Sequence, residues 1–288
     1  MSDKTIFSVI GGDLRQIQVA KSLLLEGFQV KIFGFENYTG QDLFISCEKT
    51  LEKALAGAKY IILPLPCTQD SLALNAPFSE KEIKIEKIYK KTEQGAIILG
   101  GRIPLPVSLR KGIKIIDYFE REELQVLNAI PTAEGALQTA MEEFPGTIHN
   151  SDCLVVGYGR IGKVLSSKLS GLDAHVSVSA RKYSDIAWIS ANGHTPCHTD
   201  KISEIIGRFD IIFNTVPAPV IGGKELAAAK PGALFIDLAS KPGGIDFEAA
   251  RSLGISTVWS LSLPGKVAPI AAGEIIKQTV LNIITQEK

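Results

Sequence analysis

The stretch DCLVVGYGRIGKVLSSKLSGLDAHVSVSARK, residues 152–182, decides the fold. CLVVGYG reads as a buried strand, and GRIGKVLSSKLSGL as an amphipathic helix. Between them Gly157-Tyr158-Gly159-Arg160-Ile161-Gly162 matches G-x-G-x-x-G in the strand-to-helix context that gives this pattern meaning. The first glycine permits the tight turn, the second lets backbone approach a pyrophosphate, and the third lets helix and strand pack closely. The helix N-terminus then presents N–H groups and partial positive charge to phosphate.

The next strand, HVSVSARK, ends on Ser179, Ala180, Arg181 and Lys182. NAD-type folds place an acid near this point to bind the ribose 2′-hydroxyl. An acid repels a 2′-phosphate, whereas arginine and lysine attract it, arginine through paired hydrogen bonds. The ending therefore favours NADP(H) over NAD(H).

Ligands of doubly wound sheets lie at the carboxyl ends of strands. Asn214, Thr215, Val216 and Pro217 follow the strand FDIIF and are expected to border the nicotinamide ribose. Asp237 opens DLASKPGG after the strand ALFI, where small residues permit close approach to a ring and Lys241 offers a cation.

The whole chain bounds this reading. Its 288 residues suit one large or two medium domains. Lys plus Arg number 31 and Asp plus Glu number 31, so no bulk charge favours nucleic acid or an anionic membrane. No apolar run approaches the ~18 residues that span a bilayer. The start, MSDKTIFSVIGGD, lacks a signal-peptide layout, which points to a cytoplasmic protein. Cys47, Cys67, Cys153 and Cys197 form no CxxC pair and read as reduced thiols. HTPCH, residues 194–198, has Asp200 as its one nearby carboxylate and no metal-ligand framework, so no metal site is expected.

The first third repeats the α/β pattern. TIFSVIGG, FQVKIFGF, KYIILPLP, GAIILGG and IKIIDYF read as strands separated by helix-length segments, which implies a parallel sheet. NAIPTAEGALQTAMEEFP, residues 128–145, reads as a helix joining two domains, with Thr132 as N-cap and Glu134 in its first turn. CLVVGYG, HVSVSAR, FDIIFNTVP, ALFIDLAS and STVWSL are the strands of the second run, and a terminal helix follows Ala268. The fold expected is α/β, with two Rossmann-like doubly wound parallel-sheet domains and a cleft between them. Residues 1–128, completed by helix 270–288, form the substrate domain, and 129–269 the NADP-binding domain.

The first domain carries its own glycine turn, Gly11-Gly12-Asp13-Leu14-Arg15-Gln16, and Gly100-Gly101-Arg102 follows another strand. Asp13 opposes a pyrophosphate. Arg15 and Arg102, at strand ends, suit a substrate with more than one carboxylate, and each could equally be a structural ion-pair partner. Histidines occur only at 149, 175, 194 and 198. None falls where a 2-hydroxy acid dehydrogenase would hold its acid–base group, which counts against that activity.

VIGGDLRQ, NAIPTAEGALQTAMEE, VVGYGRIGKVL, VSARK, NTVPAPV, LFIDLASKPGGIDFEAA and LPGKVAPIAAGEII together resemble the family of the dipicolinate synthase A-subunit, from about residue 8 to residue 280. The resemblance implies an N-terminal domain akin to the formate/glycerate dehydrogenase substrate domain and a C-terminal NADP-binding Rossmann domain. It also implies oxidation of dihydrodipicolinate to dipicolinate in the mother cell of a sporulating bacterium, together with a flavoprotein-like B-subunit. The two carboxylates of so small a ring suit Arg15, Arg102 and Lys241. If a hydroxylated precursor is the substrate, Glu134 or Lys241 would assist loss of water. Other readings of the same residues are a 2-hydroxy acid or amino acid dehydrogenase, and an NADPH-binding scaffold for a partner. A homo-oligomer is compatible with the sequence.

Overall fold

The computed structural model describes residues 5–40, 45, 47–106 and 111–287. Its chain forms two compact units, Met1–Leu127 with Ala268–Lys288, and Asn128–Val267.

In the first unit, β1 (Ile6–Ile10), β2 (Gln29–Phe33), β3 (Tyr60–Ile62), β4 (Ile97–Gly100) and β5 (Lys114–Asp117) build one sheet in the order β2-β1-β3-β4-β5. Every pairing is parallel. Both faces are covered, which explains the near-continuous apolar strands. On one face Ile17 and Leu23 of α1 (Leu14–Leu25) join Ile276, Val280 and Ile283 of the terminal helix α11 (Pro269–Gln286) over Phe7 and Val9. On the other, α2 (Leu51–Leu55) and α3 (Ile85–Lys91) cover Ile10, Ile61 and Ile98. Lys288, counted in the expected terminal helix, lies outside the described residues.

Helix α11 crosses α1 closely. A Cβ on Gly273 would come within 2.7 Å of Arg15 O and 2.6 Å of Gln18 Cβ. Around this crossing Glu274 accepts from Gln18 Nε2 (2.8 Å) and Ser22 Oγ (3.0 Å). Lys277, mostly buried, reaches Glu26 at 2.5 Å and Glu274 at 3.0 Å.

In the second unit, β6 (Asp152–Val156), β7 (His175–Ala180), β8 (Thr195–His198), β9 (Ile211–Asn214), β10 (Leu234–Asp237) and β11 (Ser256–Trp259) form a parallel sheet ordered β11-β10-β9-β6-β7-β8. Numbered from β6, this is the 3-2-1-4-5-6 order of dinucleotide-binding sheets. On one face α5 (Arg160–Gly171) and α6 (Tyr183–Ala191) pack with Ala133, Ala136 and Ala140. On the other lie Ile202 of α7 (Ile202–Ile205), Leu226 of α8 (Gly223–Ala227) and Ala250 of α9 (Phe247–Ser252). Leu263 of the short helix α10 (Leu263–Val267) packs against Gly135, where an added Cβ would stand 3.0 Å away.

The two doubly wound parallel sheets agree with the sequence reading, and two local features correct it. Thr195–His198 is a sixth strand of the second sheet, where the sequence showed five. It is a four-residue edge strand containing Pro196, the position where a missing N–H is tolerated. The connecting helix, α4 (Glu122–Glu143), begins ten residues before Thr132 and contains Pro131. Thr132 is therefore no N-cap; inside the helix its Oγ1 donates to Asn128 O at 2.7 Å. Glu122 and Glu123 suit a first turn. The missing N–H of Pro131 removes one bond, to Leu127 O, and the helix continues on either side.

Candidate active site

The glycine turn has the geometry its sequence predicts. Gly157 has φ +99°, and a Cβ there would meet Thr215 Oγ1 at 2.6 Å and Val216 Cγ2 at 2.8 Å. A Cβ on Gly162 would stand 2.1 Å from Gly157 O, so helix and turn pack through that glycine. A Cβ on Gly159 would meet nothing within 4 Å. Gly159 is also the N-cap of α5 and supplies no side-chain cap, and the first turn of α5 holds no acid. The first N–H groups of a helix have no partner within it. An open backbone face at such a terminus is the cradle a pyrophosphate fills, so these residues fit a dinucleotide. Ile161 is half-buried, while Tyr158 turns inward, 8% exposed, and accepts from Asn192 Nδ2 at 3.2 Å. Arg160 is exposed at the start of the helix.

The strands beside the turn are tied to it. Gly157 N donates to Ser179 O at 3.0 Å. Thr215 N and Thr215 Oγ1 both donate to Val156 O at 2.9 Å. Ser179 and Ala180 are buried, and Ser179 contributes its carbonyl here, since its Oγ is enclosed in the sheet without a partner. Arg181 and Lys182 are exposed at the carboxyl end of β7, with Lys182 as the N-cap of α6. Val216 is half-buried and Pro217 is exposed.

Asn214 and Asp237 occupy facing register positions on β9 and β10 and are both 0% exposed. Asp237 accepts from Asn214 Nδ2 (2.8 Å) and from the backbone N–H groups of Ala239 (3.0 Å), Gly244 (2.8 Å) and Ile245 (3.3 Å). Asn214 Oδ1 accepts from Val216 N at 3.1 Å. These two side chains are turned inward and shape the loops that the sequence assigned to cofactor contact. Gly243 (φ +84°) and Gly244 leave no room for a Cβ beside Asp237 Oδ2 and Asn214 Nδ2 respectively. Trp259 Nε1 donates to Ala239 O at 2.9 Å and braces the same loop. Lys241 projects from it, exposed, with no ion-pair partner among the described residues.

In the first unit, Arg15 and Arg102 both stand at the carboxyl edge of the sheet but in different states. Arg15 is 6% exposed. Its Nε and Nη2 donate to Asp13, at 2.9 and 2.7 Å, and Nη2 also reaches Leu65 O at 2.5 Å. Asp13 caps α1 at the same time by accepting from Arg15 N at 3.0 Å. Arg102 is exposed, has φ +53°, and lays its guanidinium over the Phe119 ring at 4.7 Å. Asp117 anchors that turn by accepting from Arg102 N and Ile103 N, each at 3.1 Å. Cys67 is buried nearby, and burial, then the charge of Asp117, pushes its thiol up to about 12. A thiol so raised is protonated at neutral pH and a poor nucleophile.

Glu134 lies apart from the glycine turn of its own unit. Its carboxylate pairs with Lys168 at 2.9 Å. Lys168 lies eight residues into α5, about 12 Å along the helix from its N-terminal end.

Two of the histidines have clear partners. His149 lies 3.5 Å from Asp173, and His194 is buried against Ser170 Oγ at 3.2 Å, its pKa lowered by that burial. Sequence reasoning gave His198 and Trp259 no part in the site. The signal for Trp259 lay in the strand STVWSL itself, the neighbour of the DLASKPGG strand; His198 needed the pairing of β8 to be known.

Residues 6–119 match the family described as the N-terminal domain of the dipicolinate synthase A-subunit, and residues 124–245 the family described as D-isomer specific 2-hydroxyacid dehydrogenase, NAD binding domain. The chain is 31% identical to the dipicolinate synthase A-subunit of Bacillus subtilis (strain 168) over 287 residues, covering 97% of this chain and 95% of that one. The crystal structure of the dipicolinate synthase A-subunit from Bacillus halodurans superposes with a TM-score of 0.85 at 29% identity, over 98% of both chains. The corresponding Bacillus subtilis structure gives 0.85 at 30% identity, over 99% of this chain and 97% of that one.

Proposed function

The chain belongs to the family of the dipicolinate synthase A-subunit, and from that premise we propose that it is the NADP-dependent oxidoreductase component that converts dihydrodipicolinate to dipicolinate. The observation that carries this reading is the pairing of an open glycine cradle at Gly159 with a basic tip, Arg181-Lys182, on the adjoining strand. The cradle supports a nicotinamide dinucleotide, and the basic tip supports a 2′-phosphate on it.

Oxidation removes a hydride and a proton from a dihydropyridine ring. Bound nicotinamide supplies the hydride acceptor. The product ring is aromatic, so the proton is released readily to water and a strong general base is unnecessary. The protein's task is then orientation and charge matching. Arg102, exposed at the end of β4, is proposed to meet a substrate carboxylate, and Lys241, exposed on the loop after β10, is a second candidate cation. Arg15 is proposed to act indirectly, by holding Asp13 and Leu65 O in place. Its pairing with Lys168 gives Glu134 a structural role in this proposal.

The setting proposed is the cytoplasm of the mother cell in a sporulating bacterium, where the partner is a flavoprotein-like B-subunit. Among the described residues no helix is long and apolar enough to cross a membrane.

The test is a coupled assay in which a second enzyme generates dihydrodipicolinate in situ, with absorbance of dipicolinate and NADPH followed in the presence and absence of that flavoprotein-like partner. Dipicolinate and NADPH are expected to appear in equal amounts. A chain that binds NADPH but forms no dipicolinate in either arm would make it a binding scaffold instead. Arg181→Ala with Lys182→Ala is expected to raise the NADPH dissociation constant far more than that for NADH, and equal effects would remove the NADP assignment.

A further inference from the structure

We infer that His198 is a positioning residue for the cofactor's 2′-phosphate: it holds the main chain that presents Arg181 and Lys182. The inference rests on the NADP reading above. His198 is the last residue of β8 and pairs in register with Ala180, the last residue of β7. Its Nε2 lies 3.1 Å from Arg181 O. A carbonyl oxygen only accepts, so Nε2 carries the hydrogen. Nδ1 is then free to accept, and Asp200 N faces it at 3.4 Å, with Asp200 Oδ2 at 3.5 Å from the same nitrogen. With its hydrogen on Nε2 and Nδ1 accepting, the ring makes both hydrogen bonds, to Arg181 O and from Asp200 N.

The bond falls where the loop has few other restraints. Arg181, Lys182 and Tyr183 are all exposed, and Lys182 caps α6 without a side-chain hydrogen bond. The Tyr183 ring lies with its centroid 6.0 Å from the imidazole, so the ring of His198 meets the loop on two sides. An exposed bond of this kind adds little to global stability. Its effect is on order: a loop already in place before binding does not have to be ordered by the ligand. Loss of the restraint therefore weakens a cofactor that carries a 2′-phosphate and leaves one without it nearly unaffected.

Titrations of NADPH and NADH against the full chain, with hydrogen exchange of the free protein, test this. His198→Ala is expected to weaken NADPH binding about tenfold and NADH binding less than about twofold. It is also expected to speed exchange of the loop amides of residues 181–184 in the free chain. His198→Gln, whose terminal amide N–H donates at the reach of Nε2, is expected to restore both readouts. If wild-type prefers NADPH but His198→Ala lowers both affinities equally, or neither, the positioning role is overturned and the NADP reading stands. Unchanged exchange in His198→Ala overturns the role whatever the cofactor. If wild-type binds the two cofactors alike, the NADP reading fails and takes the inference with it.

Discussion

Asn214 Nδ2 donates to Asp237 Oδ1 across 2.8 Å between two strands, with both side chains at 0% exposure. Asp237 spends its remaining capacity on three backbone N–H groups of one loop, Ala239, Gly244 and Ile245. A buried carboxylate is tolerated because these donors replace its hydration. Asp237→Asn keeps one acceptor but turns an NH2 toward donors. Each unsatisfied buried group costs about 1–3 kcal/mol. The variant is expected to lose about 3 kcal/mol in urea denaturation, and Asp237→Ala at least as much.

Two glycines of one motif are expected to fail differently. Gly162→Ala drives a methyl to 2.1 Å from Gly157 O, so it should lower stability by about 3 kcal/mol, measured as a fall in Tm. Gly159→Ala places its methyl in open space at an ordinary φ of −79°. Its Tm should match wild-type while its affinity for NADPH falls at least about tenfold, because the methyl stands where the phosphates approach. A Gly159→Ala chain that binds NADPH normally would show that the cradle is used otherwise.

Much of this fold was legible because its signals are periodic and local. Buried parallel strands such as IFSVI and DCLVV are short apolar runs, and the glycine turn fixes where the dinucleotide half begins. Thr195–His198 was not legible as a strand, since a four-residue run with a proline gains its strand identity from pairing with β7. The start of α4 was hidden by Pro131, whose local effect on a helix is smaller than the packing of Ala133, Ala136 and Ala140 that follows. At the site, sequence located the loops but not the direction of the side chains. Asn214, Ser179 and Asp237 sit in those loops or strands and turn inward. Whether an arginine is tied to a carboxylate and a carbonyl, as Arg15 is, or lies exposed over a ring, as Arg102 does over Phe119, depends on tertiary neighbours such as Leu65 O.

The two arginines of the first unit are therefore expected to separate. Arg15→Met strands Asp13 and Leu65 O and should cost about 2 kcal/mol in denaturant unfolding. Arg102→Met removes an exposed guanidinium lying over Phe119 and should leave stability within about 0.5 kcal/mol of wild-type. In the coupled dipicolinate assay Arg102→Met should lower kcat/KM by about tenfold or more with NADPH affinity unchanged. Normal turnover would remove Arg102 from the substrate's reach.

The crossing of α1 and α11 carries a pH signature. Burial pushes the Glu274 carboxyl up, but hydrogen bonds from Gln18, Ser22 and Lys277 outweigh it and hold it below its ordinary value. Burial pushes Lys277 down, yet its bonds to Glu26 and Glu274 raise it above the ordinary lysine value. A carboxylate lowered on folding contributes stability above its unfolded pKa, about 4.3, and loses it as pH falls through the lower folded value. A raised lysine contributes below its unfolded pKa, about 10.4, and loses that as pH rises through the folded one. The cluster is thus fully effective between about pH 5 and 10. Glu274→Gln should cost about 1 kcal/mol at pH 7, a figure reduced for the partial exposure of the carboxylate. Near pH 3 the Glu274 carboxyl is largely protonated in the unfolded chain, and the difference between wild-type and variant should narrow. Urea unfolding at the two pH values reads this directly, and a gap that stays constant would mean that the crossing is held by Gly273 and its apolar neighbours alone.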